Sequence, residues 1–207
     1  MTTTAPTGAR PRRGRPRHHE SPRERVRARH APAPVAASAT QLTTVVEVDL
    51  TGVPAGAVLA TVAASAVRAA AAHLTLAGSH GVHLGVLDED GTAAVVVEDA
   101  HELTDSALAA RIAAGRRAEV DSTLEVVDTG SRGVLLDTPS VGPRRTPVLG
   151  IGAVVRRPVV LPADGGEAIV VRAMAHLSLS HDPLVLGAAD AARLLHAVGR
   201  DIEEGTR

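Results

Sequence analysis

Cysteine, tryptophan, tyrosine, phenylalanine, lysine and asparagine are all missing from this chain of 207 residues. Without cysteine there can be no disulfide, no thiolate zinc site and no cysteine nucleophile. The codons for Phe, Tyr, Lys and Asn are AT-rich, so a GC-rich genome accounts for much of the pattern, though not for the missing Trp. Each buried aromatic side chain removes roughly 150–250 Å² from water. A core built from Val, Leu, Ala and a few Ile is therefore expected to be thin, and a partner subunit is expected to finish burying its apolar faces. No apolar run reaches the roughly 18 residues that span a bilayer. The basic stretch from Met1 to Arg17 lacks the apolar segment of a secretory signal. These absences predict a cytoplasmic protein with no membrane partner.

Charge is divided unevenly. Residues 1–40 hold nine Arg against Glu20 and Glu24, a net of +7, while the remainder holds thirteen Arg against twenty-one acids, a net of −8. The first segment is rich in Pro, Arg, Thr and Ala and has no apolar periodicity, so residues 1–40 are expected to be a disordered arm. Within it, Arg13-Gly14-Arg15-Pro16 matches the core of an AT-hook. In such a hook an extended Arg-Gly-Arg enters the narrow minor groove of A·T tracts. The match is only four residues long in an Arg-rich segment. The preferred reading is a solvated basic linker that meets polyanions non-specifically, with nucleic acid not expected as a dedicated partner.

Residues 41–207 read as one mixed α/β domain. Thr43 to Leu50 is β-rich and partly alternating, a strand that Pro54 and Gly56 end. Val58 to His73 is Ala-rich with helical spacing of Leu59 and Val62. Val82 to Leu87 and Ala93 to Val97 flank Asp88-Glu89-Asp90-Gly91, a hairpin signal. Thr104-Asp105-Ser106 opens a helix predicted to run to about Arg117. Leu124 to Val127, Val148 to Val155 and Ile169 to Leu179 read as strands, and Ala188 to Glu204 as a closing amphipathic helix.

Three stretches then carry a resemblance. They are Gln41 to Asp49; Asp128-Thr129-Gly130-Ser131-Arg132-Gly133 with Asp137-Thr138-Pro139 and Leu149 to Pro158; and Leu177-Ser178-Leu179-Ser180 with Ala189 to Leu195. In this order they resemble the catalytic core of the dihydrolipoamide acyltransferases of 2-oxoacid dehydrogenase complexes, over about residues 41–204. The resemblance implies a chloramphenicol acetyltransferase-like two-layer sandwich with a mixed sheet, assembled as a homotrimer. It also implies acyl transfer between coenzyme A and a dihydrolipoyl thiol, with other subunits of the complex as partners. In that family a His acts as general base, a Ser or Thr hydroxyl stabilises the oxyanion, and an Asp holds the His-bearing motif.

The family pattern Asp-His-Arg-x-x-Asp-Gly falls without gaps on Asp182-Pro183-Leu184-Val185-Leu186-Gly187-Ala188. The base is thus replaced by Pro183 and the structural Asp by Gly187. The oxyanion hydroxyl is replaced by Val127, and the Asn that follows it is Asp128. The segment from Thr51 to Gly56 is short for the family. Family members carry a lipoyl domain whose cofactor is attached to Lys, and a chain without Lys cannot be lipoylated. The expectation is a degenerate member with no covalently bound cofactor and coenzyme A as the one ligand the resemblance leaves open. His181, beside Asp182, is a candidate displaced base, but a two-residue shift moves a strand side chain by about 6–7 Å, so an ordinary strand-end His is preferred. His80 and His83 have no third ligand nearby in sequence, and no metal site is expected.

Overall fold

The computed structural model describes residues 41–73, 81–88 and 90–205. The expected arm, its Arg13-Gly14-Arg15-Pro16 motif and His80 lie outside the described residues. The elements in chain order are β1 (Leu42–Asp49), α1 (Val58–His73), β2 (Leu84–Leu87), β3 (Ala93–Val97), α2 (Asp105–Ala113), β4 (Leu124–Asp128), β5 (Val148–Ile151), β6 (Val155–Ala163), β7 (Gly166–His181) and α3 (Ala188–Gly205). The sheet runs β1-β7-β5-β4-β2-β3, and β6 pairs with β7 alone. β4 lies parallel to both β2 and β5, and the other pairings are antiparallel. This is the mixed-sheet sandwich that the sequence leads one to expect.

One face of the sheet receives the helices. Ala175, Leu177 and Leu179, alternate residues of β7, join Val62, Ala66 and Ala70 of α1 and Leu194, Leu195 and Val198 of α3 in one buried cluster. Small residues let these layers approach without aromatic filler. Ala63, Ala64, Ala66, Ala69 and Ala70 are all buried on α1. On α3, a β-carbon at Gly199 would come within 3.3 Å of Val48 on β1. Close approach of small side chains sustains interior packing density where large rings are missing. Arg68 of α1 ties the helices together, pairing with Asp105 of α2 and, at 2.5 Å, with Asp201 of α3. The Asp201 hydrogen bond, outweighing the cost of burial, raises the Arg68 guanidinium pKa above its ordinary value.

Three expectations are corrected. α2 stops at Ala113 rather than near Arg117, because Gly115 takes a left-handed φ of 63° and Arg117 bridges to Val96, covering the edge strand β3. The strand expected over 148–155 ends at Ile151, and a separate strand, β6, begins at Val155. Finally, Ala55–His73 is long and apolar enough by length and composition to cross a membrane, contrary to the expectation from unbroken runs. Thr61, Ser65 and Arg68 interrupt the run without lowering its mean hydropathy far. Half of that apolar window is buried inside the domain.

Candidate functional site

Val127 of β4 lies opposite Gly150 of β5, Gly150 lies opposite Ser178 of β7, and Ser178 lies opposite Val45 of β1. Cross-strand partners share a face, so these four form a row. Because Leu177 and Leu179 face the helices, Ser178 and its row lie on the other, outer face. Ser180 follows on the same side, its Oγ 2.9 Å from Thr43 Oγ1. Ser178, Ser180 and Val127 are all buried. The two serines had not been singled out as site residues, although the alternation Leu177-Ser178-Leu179-Ser180 carries the signal for a polar outer face.

The glycines of the central motifs hold this region closed. A β-carbon at Gly130 would overlap the backbone of Gly152, and one at Gly152 would overlap the carbonyl oxygen of Leu135. At Gly150 it would lie 2.5 Å from Ser178 Oγ and 3.2 Å from Pro139. Thr129 bonds the Ile151 carbonyl through both its amide and its hydroxyl, at 3.1 and 3.2 Å. The Asp128 carboxylate accepts from the Ser131 amide at 2.9 Å and stabilises the turn that follows β4. The backbone of one segment here serves as the packing surface of the next.

After β7 the chain makes a turn before α3. Asp182 Oδ1 accepts from the Leu184 amide at 2.8 Å, and its carbonyl accepts from the amides of Val185 and Leu186, both at 2.9 Å. Asp182 is 2% exposed, and its Oδ2 lies 3.3 Å from Arg145 Nε. Pro183 is half-buried, while Leu184, Val185, Gly187 and Ala188 are exposed. The Gly187 carbonyl accepts the amides of Asp190 and Ala191, which makes Gly187 the N-cap of α3.

His181 is fully buried, with Nδ1 2.7 Å from the Leu186 carbonyl oxygen. A carbonyl can only accept, so Nδ1 carries a proton, and in the neutral ring Nε2 presents a lone pair. Nε2 has no hydrogen-bond partner among the described residues. By strand alternation, His181 falls on the helix side with Leu177 and Leu179, the face opposite Val127. It is also three residues beyond Ser178, roughly 10 Å along β7. The fold therefore brings Asp182 and His181 together in sequence but does not bring His181 to Val127 within one chain. Pro183 offers no titratable group, Val127 no donor and Gly187 no carboxylate. A groove of ≈ 440 Å³ lies elsewhere, beside the stretch of β7 beyond the end of β1, between Asp49, Arg172, Met174 and Val159.

Residues 65–207 match the family model of the 2-oxoacid dehydrogenases acyltransferase (catalytic domain). The chain is 39% identical over 136 residues to the dihydrolipoyllysine-residue acetyltransferase component of the pyruvate dehydrogenase complex of Mycobacterium bovis, covering 59% of this chain and 25% of that one. It is 34% identical over 140 residues to the lipoamide acyltransferase component of the branched-chain alpha-keto acid dehydrogenase complex of Pseudomonas putida, covering 66% of this chain and 32% of that one. The chain thus spans a quarter to a third of the length of these relatives. In fold it is similar to a probable dihydrolipoamide acetyltransferase from Listeria monocytogenes, with a TM-score of 0.68 at 21% identity over 92% of this chain and 95% of that one. The truncated catalytic core of the 2-oxoacid dehydrogenase complex from Thermoplasma acidophilum gives a TM-score of 0.59 at 18% identity, covering 92% and 99%.

Proposed function

Given that the chain belongs to the 2-oxoacid dehydrogenase acyltransferase catalytic-domain family, we propose that it is a divergent, non-catalytic member acting as an oligomeric scaffold or a subunit-interacting protein of such a complex in the cytoplasm. The observation that carries this reading is the simultaneous replacement of three groups, by Pro183, Val127 and Gly187. Loss of an oxyanion donor typically costs about 10²–10³ in rate, and loss of a general base about 10²–10⁴.

Assembly, as a homotrimer, is supported by the β6–β7 hairpin. From Gly166 to Arg172, β7 pairs with β6 alone, and the strand partner β1 ends opposite Met174. This two-stranded extension exposes Val160, Ile169 (76% exposed) and Val171. Such a ribbon is marginal by itself, and open edges with apolar side chains call for cover. Light scattering at micromolar concentration should give a trimer or larger, with refractive-index detection because the chain has no Trp or Tyr. Ile169→Glu should shift the mass towards the monomer. A folded monomer of the unmodified chain would remove the scaffold reading.

The catalytic test is acyl transfer from acetyl- or succinyl-coenzyme A to dihydrolipoamide, for which no turnover above background is expected. The second reading, an active acyltransferase with His181 as displaced base, rests on the free Nε2 lone pair. The full burial of His181 supports the first reading instead. Turnover by the unmodified protein that disappears on His181→Ala would decide for the second.

A further inference from the structure

The segment 137–147 crosses the outer face of the sheet and is tied down along its length. Gln41 holds it at the β1 end, donating from Nε2 to the Pro139 carbonyl at 3.0 Å and accepting from the Val141 amide at 2.9 Å. At its other end Arg144 pairs with Asp121 at 2.7 Å, and Thr146 donates to the Ser122 carbonyl at 3.3 Å. Between these ties Pro139 sits over Gly150, the residue flanked by Val127 and Ser178. The segment therefore covers the row at Gly150 and Ser178.

We propose that the Arg145–Asp182 pair is a latch that closes this strap over the outer face by fastening it to the turn between β7 and α3. The two partners stand in unequal surroundings. The Asp182 side chain is 2% exposed, and the Arg145 side chain is 50% exposed. A buried carboxylate left without a cation is strongly unfavourable, and Arg145 is the cation within reach of Asp182 Oδ2, in a charge contact without hydrogen-bond geometry. Arg145 answers with its backbone, adopting a left-handed φ of 61°, which a non-glycine residue takes only when its surroundings impose it. Its amide meanwhile closes a tight turn onto the Gly142 carbonyl at 2.9 Å. The Asp182 carboxylate also accepts the Leu184 amide, and its backbone carbonyl accepts those of Val185 and Leu186. The Asp182 side chain thus meets both the strap, through Arg145, and the turn, through Leu184, and breaking the Arg145–Asp182 pair should loosen both.

The absence of cysteine supplies a direct probe, because Ser178→Cys places a single thiol under the strap. Thiol labelling of the full-length Ser178→Cys protein should be slow. Adding Arg145→Gln should speed it by about tenfold, since reaction at a buried site follows the population of the open state. Amide exchange should show the coupling. Arg145→Gln should accelerate exchange at Val185 and Leu186 as well as at Val141, leaving α1 unchanged. Asp182→Asn, which keeps an acceptor for the Leu184 amide, should do the same. Gln41→Ala should speed exchange at Val141 without affecting Val185 and Leu186. Unchanged labelling in Arg145→Gln, or faster strap exchange with no response in the turn, would overturn the latch. Should Asp182→Asn fail to fold, Arg145→Gln decides alone, because its side chain is half in solvent.

Discussion

At Gly130 a β-carbon would lie 2.6 Å from the Ala153 nitrogen and closer still to Gly152, whereas at Gly187 the nearest atom, Asp190 Oδ2, would be 3.4 Å away. Gly130 stands in a stretch that resembles the family and Gly187 in one that departs from its pattern, and they mark opposite situations. In the crossing formed by Gly130, Gly150 and Gly152, backbone packs on backbone, and any side chain must displace main chain. In the turn from Pro183 to Ala188 most side chains meet solvent, and only Leu186 is buried, with His181 and Asp182 buried just before it. Sterics hold the first region to its sequence. In the second, positions 183 and 187 are free of such overlap, and the turn keeps its shape through Asp182.

The sharpest way to break that comparison is a pair of alanine variants. Gly152→Ala should cost about 3 kcal/mol or more, or abolish folding, because the new atom overlaps the Leu135 carbonyl. Gly187→Ala should cost at most about 1 kcal/mol, the ordinary penalty for a poor N-cap, and Gly187→Asp should be neutral or stabilising. Urea denaturation followed by far-ultraviolet circular dichroism would measure all three. Equal losses at 152 and 187 would dissolve the distinction.

A second pair works within the turn. His181→Ala removes a fully buried ring and its hydrogen bond to the Leu186 carbonyl, and should cost about 2–4 kcal/mol. Pro183→His, two residues on and half-buried, should change stability by no more than about 1 kcal/mol. The same denaturation experiment separates them. A large loss at Pro183 would mean that the turn is as constrained as the crossing.

Much of this architecture is legible in the sequence, and what is not has identifiable causes. α1 matches its expected span of Val58 to His73 because Ala, Leu and Val at helical spacing agree with both propensity and burial. β6 escapes notice because Arg156, Arg157, Pro158 and Pro162 disguise it. Proline lacks a donor and is tolerated in a strand only where that donor would meet no neighbour, as on β6, whose only partner among the described residues is β7. The positions of Val127, Pro183 and Gly187 could be read from motif spacing. Arg145 could not, since its role lies in a contact with Asp182 across 37 residues of sequence, and nothing in Pro143-Arg144-Arg145-Thr146-Pro147 marks one Arg from the other. Nor could spacing show that His181 faces the helices, because that depends on the register of β7 with β1 and β5.

The smallest expected effect asks whether the comparison is really between scaffold and site or between close-packed and solvated contacts. Arg68 belongs to the scaffold, joining α1 to α2 and α3, yet its side chain is 45% exposed and those of Asp105 and Asp201 are 68% and 38% exposed. If solvation decides, Arg68→Ala should cost only about 0.5–1 kcal/mol and less at high salt. The pH dependence has a definite sign. Burial tends to raise the Asp201 carboxyl pKa, but hydrogen bonds from Arg68 and Ser65 outweigh it and hold the pKa below the ordinary value of 3.8. A carboxyl with a lowered folded-state pKa contributes stability that is fully present above its unfolded value and is lost as pH falls through the folded one. The difference between the unmodified chain and Arg68→Ala should therefore be constant near neutrality and shrink as pH falls below 3.8. Urea midpoints measured from pH 7 down to acid would trace it. A loss well above 2 kcal/mol, unmoved by salt or acid, would mean that the helix clip behaves like the glycine crossing, and that membership of the scaffold, rather than close packing, is what fixes a residue.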